Sequence, residues 1–219
     1  MTSAPNRPGD EMAGALLEAA RKLLEREGPK ALTVRAIARY ATTSTMAVYS
    51  RFGGKDSILE ALYHRGFEIL RGYLETAPAA GSGRDGITEL GREYRRFALA
   101  NPALYGFMFE RPVPGFDPPL ELRQQSLLET FGILVATVTR FIDEAMNGDS
   151  DPVMVSYLIW CAVHGAMSLE LTHAARSPFP GWIVNEPDDA EQAYLQMVAT
   201  VLSGLTASPD RAARGSPNV

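Results

Sequence analysis

The sequence predicts an all-α protein, and three observations carry that prediction. Apolar residues recur at spacings of three and four along most of the 219-residue chain. No alternating segment of strand length stands out, and neither does an internal repeat. Clusters of Pro, Gly and Asn cut the periodic stretches into pieces of helical length.

The first element carries Ala13, Leu16, Leu17, Ala20, Leu23 and Leu24 on one stripe. Asp10 and Glu11 suit its positive end, and Gly28-Pro29 stops it, with Gly28 at a position that needs positive φ. A short helix follows, capped by Thr33, with Ile37, Ala38 and Ala41 facing inward. After a break at Thr42-Thr43, Ser44 caps about two turns over Thr45 to Phe52, with Val48 and Phe52 inward. Gly53-Gly54 ends them, and Asp56 opens a longer helix bearing Ile58, Leu59, Leu62, Phe67 and Leu70. A loop over Ala77–Gly83 precedes a helix marked by Ile87, Leu90, Tyr94 and Phe97, which Asn101-Pro102 breaks. Ala103 to Glu110 reads as a short apolar helix, and Leu127 to Ala145 as a long one closed at Asn147-Gly148. Asp151-Pro152 is a cap followed by proline at the first helical position, opening a helix to about Ala175. A loop around Trp182 and a last helix with Ala193, Met197, Val201 and Leu205 complete the order.

Bulk composition narrows the function classes. Apolar residues make up 46 % of the chain and charged residues 21 %, which is ordinary for a globular protein. No run approaches the apolar length of a membrane span, and the N-terminus lacks the apolar core of a signal peptide. A single cysteine, Cys161, allows no internal disulfide, so the cytoplasm is the expected compartment and no membrane partner is expected. The net charge of −5 is unevenly spread. Residues 1–75 hold 11 Lys/Arg against 9 Asp/Glu, whereas the remainder holds 10 against 17. Thr33 to Lys55 contains Arg35, Arg39, Arg51 and Lys55 and no acidic residue. An acidic body with one short basic stretch points to a local phosphate-binding face.

Two short helices joined by a tight turn, within that basic stretch, are the sequence form of a helix-turn-helix. Here the chain resembles the TetR family of bacterial regulators. The residues that carry the likeness are Leu17, Ala20, Leu23-Leu24 and Gly28, then Leu32-Thr33-Val34, Ile37-Ala38 and Ala41. They continue through Ser44, Val48-Tyr49, Phe52, Lys55-Asp56 and Leu59. The chain departs from the common pattern at Thr42-Thr43, where Gly-Val is usual, and the departure bears on the conformation of the turn. The resemblance implies that Thr45 to Phe52 is the recognition helix for operator DNA. By it, Thr43, Thr45 and Met46, led in by the capping Ser44, are the base-reading candidates. Tyr49, Arg51 and Lys55 are expected on phosphates, with Thr33 and Arg35 holding the flanking backbone. A weaker likeness in the second half runs through Tyr105, Met108-Phe109, Arg111-Pro112 and Trp160-Cys161-Ala162-Val163-His164-Gly165. It resembles a TetR subgroup with a Trp…His-Gly signature and implies the fold and dimerisation of that domain.

The expected organisation is a DNA-binding domain over 10–55, a helical effector-binding and dimerisation domain over 56–206, and disordered tails at 1–9 and 207–219. Phe67, Tyr94, Phe97, Tyr105, Phe107, Met108, Phe131, Trp160 and Met167 are rich enough in ring and thioether surface to line a pocket for an unidentified, largely apolar effector. The same residues also serve as plain core. His164 shares a face with Trp160 and Met167 and either meets a ligand or is a satisfied packing histidine. Glu110 and Glu170 read as solvated helix-end charges. The helix after Asp151 is apolar on two sides. Val155, Leu158, Ile159, Ala162, Ala166 and Leu169 form the stripe expected against a second copy, with Tyr194, Met197, Val201 and Leu205 of the last helix. His64, His164, His173 and Cys161 have no metal-ligand spacing, so neither metal nor cofactor is expected. With no nucleophile elbow or Gly-rich phosphate loop, an enzyme is the weaker reading beside a repressor, and an architectural DNA-binding protein without effector is the other rival.

Overall fold

The computed structural model describes residues 8–77, 83–145, 150–176 and 187–206. Among the described residues lie nine α-helices and no strand. They are α1 (Pro8–Glu27), α2 (Val34–Tyr40), α3 (Thr45–Phe52), α4 (Lys55–Thr76) and α5 (Gly83–Ala100). Then follow α6 (Pro102–Phe109), α7 (Leu120–Ala145), α8 (Pro152–Leu169) and α9 (Pro187–Thr206). The breaks expected at Asn147-Gly148 and around Trp182, most of the Ala77–Gly83 loop, and residues 1–7 and 207–219 lie outside the described residues. α1 takes in residues 8 and 9, the end of the expected disordered tail. Proline is tolerated there because a first-turn N–H has no intrahelical partner in any case.

The described helices fall into two compact units, each built from separate stretches of chain. The described residues within 1–72 and 98–130 form the first, and those within 73–97 and 131–219 the second. Three helices, α4, α5 and α7, begin in one unit and end in the other.

In the first unit α1 packs against α2, α3 and α6. Its Leu16, Ala20, Leu23 and Leu24 are buried with Leu32, Ile37 and Ala38, with Val48 of α3, and with Ile58, Leu59 and Leu62 of α4. Gly28 has the expected positive φ, at φ 79° and ψ 178°, a region open only to glycine and distinct from the left-handed helical one. α6 is apolar all round and buries Leu104, Tyr105, Gly106, Phe107 and Met108. The Met108 thioether lies so close over Gly66 that a Cβ there would displace it.

In the second unit α5 comes close to α7 because Gly83 and Gly86 carry no side chain. A Cβ on Gly83 would overlap the backbone of Phe141, and one on Gly86 would sit 2.9 Å from Thr137 Cγ2. The Gly83 amide donates to Glu144 Oε2 at 2.6 Å, which satisfies one of the free donors at the start of α5. Asp151 caps α8 by accepting from the Val153 amide at 2.9 Å, with Pro152 at the first helical position. After Leu169 the same chain continues as π-helix over Glu170–Arg176. Glu170 is not a solvated end charge. Its carboxylate is held by two guanidinium nitrogens of Arg95, at 2.8 and 3.0 Å, and both side chains are close to nine-tenths buried.

The two-sided character of α8 resolves into a buried and an open face. Val155, Ile159, Val163 and Met167 face inward, packed on α9 through Tyr194, Val198 and Leu202. Val155, Ile159 and Tyr194, expected at a subunit interface, are therefore interior. Tyr194 also donates its hydroxyl to Gly91 O at 2.8 Å, and burial pushes that phenol's pKa strongly up. The open face carries Leu158 at 46 % exposure and Leu169 at 58 %, joined by Val153, Met154, Tyr157 and Cys161. Ala162, Ala166, Met197, Val201 and Leu205 are half-buried. Counted with its continuation, Pro152–His173 is long and apolar enough to cross a membrane, contrary to the sequence expectation. Ser156, Tyr157, His164 and Gly165 interrupt its apolar residues, so no continuous apolar run marks the stretch although its mean hydropathy is high.

Candidate nucleic-acid interface

Both helices of the basic stretch begin at side-chain caps. Thr33 Oγ1 accepts from the Ala36 amide at 3.2 Å, and Ser44 Oγ from the Ala47 amide at 3.3 Å. Each such cap is worth about 1 kcal/mol. For helices of seven and eight residues, too short to persist alone, that is a large share of their stability.

The turn between them is a Schellman closure. The Thr42 amide donates to Arg39 O at 3.1 Å and the Thr43 amide to Ala38 O at 2.9 Å. That pattern requires a left-handed residue between the helices, and Thr42 supplies it at φ 54°. A β-branched residue in this region carries roughly 1–2 kcal/mol of steric strain. The turn that glycine normally makes is thus retained with threonine, held by the two hydrogen bonds and by buried Ile37, Ala38 and Val48 on either side. Gly53 closes α3 at φ 77°, its amide on Tyr49 O at 2.9 Å. Two residues later Lys55 begins α4.

Most of the expected contact residues are exposed. Thr33, Arg35, Ser44, Thr45 and Arg51 are exposed, Met46 is 71 % exposed and Tyr49 53 %. Thr43 and Lys55 are half-buried. Among the described residues Arg35, Arg39, Arg51 and Lys55 are in no ion pair. Arg39, exposed one turn after Arg35, belongs with them. Its place in the acid-free stretch is the sequence signal that marks it.

The aromatic set occupies both units and is described in each separately. In the first, Phe67, Tyr105, Phe107 and Met108 are buried. Phe109 stands edge-on to Phe67 and tilted against Tyr105, and Phe107 stacks on Phe116. In the second, Phe97 and Met167 are buried, and the rings of Phe131 and Trp160 are 6.0 Å apart, both half-buried. Tyr94 Oη lies 3.1 Å from Nδ1 of half-buried His164, whose ring is 6.1 Å from that of Trp160.

Known proteins share these features. Residues 16–62 match the bacterial regulatory proteins of the tetR family, and residues 87–201 match the tetracyclin repressor-like C-terminal domain. HTH-type transcriptional regulator Rv1816 of Mycobacterium tuberculosis is 24 % identical over 197 residues, covering 74 % of this chain and 81 % of that protein. A solved protein of unknown function from Rhodococcus sp. RHA1 superposes with a TM-score of 0.72 at 24 % identity, covering 88 % of this chain and 94 % of that one. The TetR family transcriptional regulator PfmR of Thermus thermophilus gives 0.61 at 18 % identity, with 87 % and 98 % covered. A capped helix-turn-helix with an unneutralised basic face and a matched C-terminal domain agree on one assignment: the chain belongs to the TetR family of DNA-binding transcriptional regulators and is not an enzyme.

Proposed function

We propose that the protein is a cytoplasmic homodimeric repressor whose grip on operator DNA is released by a small, largely apolar effector. The observation that carries this reading is the open apolar face of α8. Leu158, Leu169, Met154 and Tyr157 leave water only if a second surface covers them. A second copy does so symmetrically and, with α9, builds a four-helix interface. Residues 10–55 read DNA and the remaining helices dimerise and bind effector.

At the DNA, α3 enters the major groove with Thr43, Thr45 and Met46 toward the bases. Tyr49, Arg51 and Lys55 meet phosphates, the last assisted by the start of α4, and Thr33 and Arg35 hold the flanking strand. The effector site centres on Trp160, Phe131, His164 and Tyr94 of the second unit. The rings of Trp160, Phe131 and His164 there are half-buried rather than sealed, and the pair that His164 makes with buried Tyr94 offers a polar anchor. Release requires that the effector favour the conformation that does not bind DNA.

Leu158→Arg tests the assembly. Light scattering should show monomers and operator affinity should collapse, since two half-sites are no longer held together; a dimer that still binds would place the interface elsewhere. Trp160 emission, isolated by Trp182→Phe, tests the effector site. Apolar compounds that release DNA should shift it, and release without any shift would remove the effector from Trp160. Reporter expression with and without the protein settles the sign: higher transcription in its presence overturns repression.

A further inference from the structure

We propose that the recognition helix reads its operator mainly through the C5-methyl groups of thymine. Once exposed Arg51 is assigned to phosphate as proposed above, the exposed positions left on α3 are 45, 46, 49 and 50, which form one arc at 100° per residue while Val48 points inward. That face presents Thr45, Met46, Tyr49 and Ser50. It holds no carboxamide, carboxylate, guanidinium or ammonium group; Arg51 stands at its flank. The side chains that recognise guanine, adenine and cytosine through paired or single hydrogen bonds are Arg or Lys, Asn or Gln, and Asp or Glu respectively. None of them is on this face. Its hydroxyls add little discrimination, because Ser and Thr pair with several bases, and Ser50 Oγ already donates to Ala47 O at 3.1 Å.

What remains is apolar contact, and in the major groove the thymine methyl is the one apolar group a base offers. Met46 is the most exposed large apolar side chain among those described, and its unbranched thioether conforms to such a surface. Thr45 adds a methyl beside it. The base pairs beneath this face are therefore T·A pairs, read as a small apolar patch.

The inference rests on the placement of α3 in the major groove, and the experiment separates the two. A random duplex pool is selected for binding to the full chain, and each thymine of the enriched half-site is then replaced by deoxyuracil, which removes only the methyl. Two or more positions should each weaken binding about fourfold, the effect of exposing one buried methyl group. Substituting a 5-methylcytosine·G pair there should recover part of the loss relative to C·G. In Met46→Ala the penalty for deoxyuracil should vanish at one of these positions, a change that a merely structural role for this exposed residue would not cause. Deoxyuracil tolerated within twofold at every thymine overturns methyl readout, while an altered consensus in Thr45→Ala or Met46→Ala would still keep α3 in the groove. If those variants leave the consensus unchanged, the placement of α3 fails and the inference with it.

Discussion

The arginines of α2 and α3 and those of α5 are the same residue type put to opposite uses. Arg92, Arg95 and Arg96 of α5 are each held by carboxylates. Arg92 meets Glu89 and Glu191, Arg95 meets Glu170 and Glu191, and Arg96 meets Glu93. Arg35, Arg39 and Arg51 are exposed with no acidic partner among the described residues, because Thr33 to Lys55 contains no carboxylate. A guanidinium with an internal partner ties helices together and is neutral to an approaching phosphate. One without a partner adds little to the fold and remains available to an external anion. The local balance of acid and base, more than the net charge of −5, separates the scaffold from the contact surface.

The largest effect that sharpens this contrast should come from Arg95→Ala. It strands the Glu170 carboxylate, which is nearly nine-tenths buried, and should cost about 3 kcal/mol of stability by thermal or urea unfolding. Operator affinity of the folded fraction should be unchanged. If the stability loss is below about 0.5 kcal/mol, the level of an exposed pair, the α5 arginines are no different from surface ones.

Lys55→Ala should do the reverse. Stability should stay within about 0.5 kcal/mol, while the slope of log affinity against log salt falls by roughly one for the lost phosphate contact. Tyr49→Phe should weaken binding by a smaller factor, equally across operator sequences, since it removes only a hydroxyl to a phosphate. A Lys55 variant with an intact salt slope, or a Tyr49 variant with a new base preference, would break the division of roles.

The smallest effect concerns the turn. Thr42→Gly should raise stability by about 1 kcal/mol in thermal melts, because glycine accepts the positive φ without steric cost. A loss of stability would mean that threonine makes a compensating contact.

The helix-turn-helix was almost wholly legible because its signals are local. Thr33 and Ser44 lie next to the helices they cap, and Gly53 directly follows the one it ends. The threonine at position 42 marks in sequence only a departure that bears on the turn. Whether the turn would change or the residue would strain depended on the buried side chains that hold α2 and α3 apart. The role of Glu170 was not legible, since its partner lies 75 residues earlier on another helix.

By itself the sequence determined the all-α class, the capped boundaries of α2, α3 and α8, and the acid-free stretch whose four basic side chains are in no ion pair among the described residues. These depend on residues a few positions apart, where hydrogen-bond reach and helical period decide the outcome. Only the tertiary structure decided which apolar stripe of α8 faces inward, that Tyr194 is interior, and that Gly83 and Gly86 let α5 close on α7. Two stripes of equal apolarity cannot be ranked by periodicity, and a glycine in a loop-like sequence does not announce a helix crossing. Burial free energy is summed over partners distant in sequence, and the packed units choose among faces that the local pattern leaves equivalent.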